Sequence, residues 1–168
     1  MPVIAAVVLT LSGCAVFGGG SLDVGSGGFG TCAPVRSEGI VIAYGFKNKG
    51  QEPLTLTSVR LTDSKGLRLL ESAIIPGHSG IGVMEYPLQS EEVTEMGWDK
   101  RKPVKGYVLD AGAEAEVNLA AGLEPGAQEG SYTGYVIDYV EASGFAKSAT
   151  ATGLEIYLLE GEDCPDSF

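Results

Sequence analysis

Trp98 is the only tryptophan in a chain of 168 residues, and it stands just before the basic run Lys100, Arg101 and Lys102, with Lys105 close behind. Four of the eleven Lys and Arg residues are thus gathered beside one aromatic. Upstream lie Glu85, Glu91, Glu92 and Glu95, so the segment is charge-segregated. An exposed Trp flanked by ammonium and guanidinium groups suits capture of a protein or a glycan. That makes Trp98, Lys100, Arg101 and Lys102 the candidate partner-binding residues. The plainer reading, which we prefer, has Trp98 plugging the open end of the fold with the charges solvated. Metal chemistry is poorly supplied. His78 is the single histidine, and a blue-copper site needs two with a Cys. His78, Met84 and Met96 could hold Cu(I), but their spacing forms no compact motif, and Met84 reads better as a core residue. The acidic tail from Glu160 to Asp166 lacks the spaced ligands of a calcium loop.

Two short motifs invite catalytic readings and fail on mechanism. Gly77-His78-Ser79-Gly80-Ile81 has the start of a nucleophile elbow, but the elbow demands Gly at the fifth position and a separate histidine as base. Here Ile81 takes that position and the lone His lies inside the motif. Gly25, Gly27 and Gly30 match G-x-G-x-x-G, yet no strand precedes them and residues 31–34 (TCAP) start no helix, so a dinucleotide cradle is not formed. Paired carboxylates are too common in this chain to mark a site. The expectation is a protein that is not an enzyme, with no cofactor and no metal.

Composition narrows the partners further. Lys plus Arg is 11 against 22 Asp plus Glu, a formal net charge of −11. Nucleic-acid binding rests on neutralising phosphates and is excluded by that balance. Attachment to anionic lipid through charge alone is excluded for the same reason. Hydrophobic content of 44% supplies a core, and 25 glycines suit short strands with many turns.

The amino terminus carries an address. Residues 3–11 form an apolar run interrupted only by Thr10, too short to span a bilayer and of the right length for the centre of a secretory signal. No Lys or Arg precedes it, so the translation start is expected upstream. Leu11-Ser12-Gly13-Cys14 closes the run and resembles the lipobox of bacterial lipoproteins. The resemblance implies cleavage before Cys14 and a diacylglyceryl group on its thiol, two chains being enough for stable anchoring. Residues 15–31 contain seven glycines and read as a flexible tether with a reach of roughly 20–25 Å. With Cys14 lipidated, Cys32 and Cys164 remain as an even pair in an exported protein. A disulfide between them is expected; two free thiols are the alternative.

The rest of the chain reads as strands. In residues 39–46, Ile40, Ile42, Tyr44 and Phe46 alternate with Val41, Ala43 and Gly45, the period of a strand. A polar turn follows at residues 47–52, then a second strand at 54–62, and the two are expected to form a hairpin at the centre of one sheet. The apolar phase slips between Leu56 and Val59, and a β-bulge near Thr57 and Ser58 would restore the facing. Further strands are expected at 67–75, 81–86, 106–110, 132–140 and 149–159. Residues 113–119 should form a half-exposed strand with Glu114, Glu116 and Asn118 outward. Ser90 is expected to cap a helical turn over 90–96.

Phe46, Asn48, Gly50, Pro53, Leu54, Thr55 and Leu56 make the pattern F-x-N-x-G-x-x-P-L-T-L. It resembles a hairpin of bacterial extracytoplasmic immunoglobulin-like domains. Leu123-Glu124-Pro125-Gly126 leading to Tyr132 resembles the approach to the penultimate strand of such domains, which makes Tyr132 the candidate for a tyrosine corner. Gly134 stands where antibody domains have Cys, so no inter-sheet disulfide is expected. The reading is an all-β, immunoglobulin-like antiparallel β-sandwich of about 7–9 strands. The expected division is a signal peptide at 1–13, lipidated Cys14 and tether at 14–31, and the sandwich at 32–168. The expected role is a non-catalytic interaction or structural lipoprotein of the cell envelope, tethered to the outer side of the cell membrane through Cys14. Its partner, a protein or other envelope component, is unknown. A small-ligand or copper-binding lipoprotein is the alternative.

Overall fold

The computed structural model describes residues 20–25, 28–77, 82–95, 97–161 and 163–165. The signal segment, Cys14, His78 and Met96 lie outside the described residues. Thirteen strands occur among those described. In chain order they begin β1 (Leu22–Asp23), β2 (Phe29–Val35), β3 (Gly39–Asn48), β4 (Leu54–Thr62), β5 (Leu67–Pro76), β6 (Val83–Tyr86) and β7 (Lys102–Pro103). They continue with β8 (Val108–Leu109), β9 (Glu114–Leu123), β10 (Glu129–Tyr132), β11 (Gly134–Glu141), β12 (Ala146–Ala151) and β13 (Leu154–Glu160). Eight of them have six or more residues, and these carry the fold. Helix α1 (Ser90–Glu95) and a 3-10 turn at Trp98–Lys100 lie between β6 and β7.

The strands build an immunoglobulin-like β-sandwich. One layer runs β1-β3-β9-β5-β7, with β6 also paired to β3. The other contains β12-β11-β4-β8 and β10-β13-β2. Its backbone is one long hairpin: β11 pairs with β12, and past a bend β10 pairs with β13. The bend falls at Thr133 and at Thr152-Gly153, which splits each of the single strands expected over 132–140 and 149–159. Gly134 permits it, because a Cβ there would lie 2.2 Å from the Ala151 carbonyl oxygen. Between the layers sits one apolar core. Ile40, Ile42, Tyr44 and Phe46 enter it from β3, Val117 and Leu119 from β9, and Leu54, Leu56, Ile137 and Tyr139 from the opposite layer.

The bulge in β4 is present. Ser58 pairs with Asp138 and Leu56 with Tyr139, leaving Thr57 without a partner across the ladder. Leu54 and Leu56 are buried, and Val59 and Leu61 also pack against the core. The inserted residue therefore turns both halves of the strand inward, as the phase slip requires.

Other expectations are corrected. β3 and β4 do not form a hairpin. β3 pairs with β9, β1 and β6, and β4 with β11 and β8, so residues 49–53 arch from one layer to the other. β9 is not half-exposed: Glu116 and Asn118 are fully buried along with Val117 and Leu119, because β9 lies between β3 and β5 and its outer face is covered. Tyr132 makes no tyrosine corner; its hydroxyl meets that of Tyr44 at 2.7 Å in the core. The sandwich is not wholly antiparallel, since β2 runs parallel to β13. Finally, the sandwich takes in residues before 32. Leu22 and Val24 are core residues and β2 starts at Phe29. The glycines of this stretch hid two apolar anchors at alternate positions. Cys32 and Cys164 are joined by a disulfide across a separation of 132 residues.

Candidate functional site

The outer face of the first layer is shaped by small residues. Ala43 of β3, Ala73 of β5 and Ala120 of β9 leave a shallow floor edged by Val41 and Ile75, and Trp98 packs onto it. Leu88 and Val93 extend the cover from the α1 side, and Met84 and Tyr86 extend it from β6. The segment from β6 to β7 is thus a strap over an apolar sheet face. Burying that face accounts for the extra apolar residues in a strap otherwise rich in charge. Met84 falls in this cluster, as a core reading of it required. The start of α1 is fixed by Glu92, whose carboxylate accepts the Gln89 backbone N–H at 2.7 Å. Gln89 and not Ser90 therefore occupies the capping position.

Trp98 is 5% exposed. It does not present its ring to solvent, and it lies on the back of a sheet instead of the open end of the sandwich. The Arg101 guanidinium stacks over the indole at 5.1 Å from the ring centre. Its Nε donates to Glu71 at 3.1 Å and its Nη1 to the Trp98 carbonyl at 3.1 Å. The Tyr86 hydroxyl donates to the other Glu71 oxygen at 2.8 Å, and the Tyr86 ring meets Trp98 edge-on at 6.5 Å. Burial, and then the bonded Glu71 carboxylate, push the Tyr86 hydroxyl above its ordinary pKa. The proton therefore stays on Tyr86 at neutral pH, and Tyr86 serves as a donor that holds Glu71 in place.

Of the four residues expected to bind a partner, two are committed to this internal arrangement, Trp98 and Arg101. Lys100 and Lys102 stand exposed, with Lys105 nearby. Glu91 and Glu95 are exposed on α1, so the strap presents an acidic part and a basic part. Glu71 and Tyr86 were missed as members. The available signal was the doubled apolar pair Leu69-Leu70 before Glu71, which breaks strict alternation. The ladder shifts there, with Leu69 opposite Ala121 and Glu71 opposite Ala120, and this sends Glu71 to the outer face. Beneath the same face Asn118 donates to Glu116 at 2.9 Å, both side chains being fully buried.

Elsewhere, the described residues include no cluster of three or more His, Cys, Asp or Glu that could hold a metal ion. An open depression of about 590 Å³ lies at the end of the sandwich near Leu123–Ala127. Arg36, Arg68, Glu38, Glu124 and Glu160 line it with both charge signs, and Arg36 is turned to Asp163 at 2.7 Å. None of the described helices is long and apolar enough to cross a membrane.

No known protein family matches the sequence, and no curated protein does. Similar solved structures include an ASH/PapD-like domain of human CEP192, at 7% identity and a TM-score of 0.41, covering 97% of this chain and 99% of that one. The secreted serine protease VesC from Vibrio cholerae aligns over 80% of this chain and 22% of its own, at 13% identity and a TM-score of 0.32. The collagen-binding domain of the Erysipelothrix rhusiopathiae surface protein RspB aligns over 73% and 45%, at 10% identity and a TM-score of 0.26.

Proposed function

We propose that the protein is a non-catalytic interaction module, held on the outer side of the cell membrane by lipid on Cys14. The observation that carries the reading is the Cys32–Cys164 bridge. Disulfides persist in oxidising compartments outside the cytosol. The bridge also accounts for two of the three cysteines and leaves Cys14, which ends the lipobox-like run, as the one outside the pair. Replacing Cys14 with Ala is expected to move the protein from the membrane fraction to the soluble one. Tight membrane association of that variant would refute the anchor.

The partner-facing surface is the exposed basic part of the strap, Lys100, Lys102 and Lys105, and it suits an acidic partner. Trp98 and Arg101 serve it indirectly, by fixing the strap to the sheet. Charge reversal of Lys100 and Lys102 to Glu tests this without uncovering the apolar face, as deletion of the strap would. Crosslinking in intact cells is expected to lose its partner band in that variant. An unchanged crosslinking pattern would remove this surface from consideration.

A further inference from the structure

We propose that one end of the sandwich rests on the lipid surface, with the turn at Phe145 entering it. The inference builds on the Cys14 anchor. The chain reaches Gly20 at the end of the sandwich where β11 meets β12. There the Ser21 hydroxyl donates to Glu141 at 2.8 Å, and the Ser21 carbonyl accepts the Lys49 N–H at 2.7 Å. Gly20 itself lies against the Tyr139 hydroxyl so closely that a Cβ would fall 2.3 Å away. Cys14 is six residues before Gly20, so the two Cα atoms are at most about 23 Å apart by any path. The ten-residue β9 alone runs roughly 33 Å toward the other end. The Gly20 end is therefore the one held at the headgroups.

That end also carries the two most exposed large apolar side chains of the described residues, Phe145 at 68% and Val108 at 55%. Phe145 ends the turn between β11 and β12. Beside it the register places Ala146 opposite Val140, Val140 opposite Thr55 and Thr55 opposite Val108. Cross-strand partners project from one face. It is the outer face, since Leu54, Leu56 and Tyr139 turn to the core. A row of small and apolar side chains thus crosses four strands on that face at the anchored end, while Phe145, opposite Glu141 in the turn, projects beside it from the other face. Three lysines at this end are each held by a carboxylate: Lys47 by Glu114, Lys49 by Asp23 and Lys147 by Glu141. Attraction to anionic lipid is consequently weak, and insertion of Phe145 is driven by apolar burial.

The test uses the full lipidated chain on vesicles of phosphatidylethanolamine and phosphatidylglycerol. With Cys14 acylated and Cys32 bonded to Cys164, the Ser143→Cys variant has one free thiol for an environment-sensitive probe in the same exposed turn and keeps Phe145. Gln128→Cys places the same probe at the opposite end. The Ser143→Cys probe is expected to be shielded from a water-soluble quencher several-fold better than the Gln128→Cys probe, at low and high salt alike. Equal quenching on vesicle-bound protein would overturn the docking while leaving the anchor standing. Failure of the protein to bind vesicles at all would overturn both. Shielding that vanishes at high salt would replace apolar insertion with charge attraction and refute the mechanism.

Discussion

Replacing Trp98 with Ala separates a cover from a docking residue. At 5% exposure nearly all of the indole, about 240 Å² of surface, is removed from water. At about 25 cal/mol per Å² this would amount to about 6 kcal/mol, an upper bound because unfolded chains already bury part of such surface. Truncation of buried aromatics to Ala costs about 3–5 kcal/mol in practice. Trp98 belongs toward the lower part of that range, because its floor of Ala43, Ala73 and Ala120 is roofed by a strap that can settle. Arg101 also loses its stacking partner, worth about 0.5–1 kcal/mol. The expected loss is about 4 kcal/mol, against a total stability of about 5–15 kcal/mol for a typical domain. With a urea slope of about 2 kcal/mol per molar, the unfolding midpoint should fall by about 2 M. Far-UV circular dichroism is the assay, since the substitution removes the only tryptophan. Wild-type emission, which comes from Trp98 alone, should be that of a shielded indole and shift red on unfolding. A stability change under about 0.5 kcal/mol, with emission of a solvated indole, would refute the covering role and restore Trp98 as a contact residue.

Three further outcomes follow from the same structure. Asn48→Ala should destabilise by about 3 kcal/mol in urea titrations. It strips a buried side chain that donates to the Glu52, Leu109 and Asp110 carbonyls and accepts the Gly50 N–H, and the loss of those bonds at a buried site is costly. Replacing both Cys32 and Cys164 with Ser should lower stability by up to about 5 kcal/mol, the loop-entropy value for a closed loop this long; an unchanged melting temperature would mean the bridge constrains nothing. Asp138 accepts the Ser148 and Ser58 hydroxyls at 2.5 and 2.7 Å, and these bonds, with Arg60 beyond them, hold its carboxyl below the usual range. A depressed carboxylate stabilises fully above its unfolded pKa of about 3.9, and that stability is lost as pH falls through the folded value. The urea midpoint of Asp138→Asn should therefore decline less steeply than wild type below about pH 4; parallel curves would show that Asp138 is not coupled to folding.

Local patterns reveal what a residue does within its own strand and conceal which strand lies beside it. The bulge at Thr57 was readable because Leu56 and Val59 cannot share a face without it. The Cys32–Cys164 pair was readable because little else fitted the cysteine count. The fate of Glu116 and Asn118 was not. Their alternation with Val117 and Leu119 is that of a half-exposed strand, and only the strap some twenty residues upstream in sequence turns the polar face into an interior. Leu22 and Val24 were hidden differently. Two apolar residues among glycines average to a linker composition, yet alternate positions are all that a short edge strand needs. For Tyr132 the sequence supplied the aromatic and the turn before it, but the buried partner, Tyr44, comes from the other layer. Trp98 shows the same limit at the candidate site: the charges around it are legible, while the alanine floor that buries it comes from three separate strands.

The stretch from Gly39 to Asp63 shows why an arch can pass for a hairpin. Both consist of two alternating strands and a short polar turn. What decides is whether the turn can close on itself or is claimed from outside. Here Asn48 is claimed. Its side chain reaches across to the Leu109 and Asp110 carbonyls, and its backbone exchanges bonds with Ala113 and Gly112. Residues 109–114 are themselves a crossing between layers, from β8 to β9. Two arches therefore cross at the same end, and one buried amide ties them together. That tie keeps β3 beside β9 and releases β4 to pair with β11. The same crossing end receives the chain at Ser21, which bonds to Lys49 and Glu141. Rigidity there serves the proposed role directly. A module held by a few residues of chain keeps a defined orientation only if the end that meets the membrane is braced, and the strap can then face outward in a fixed direction.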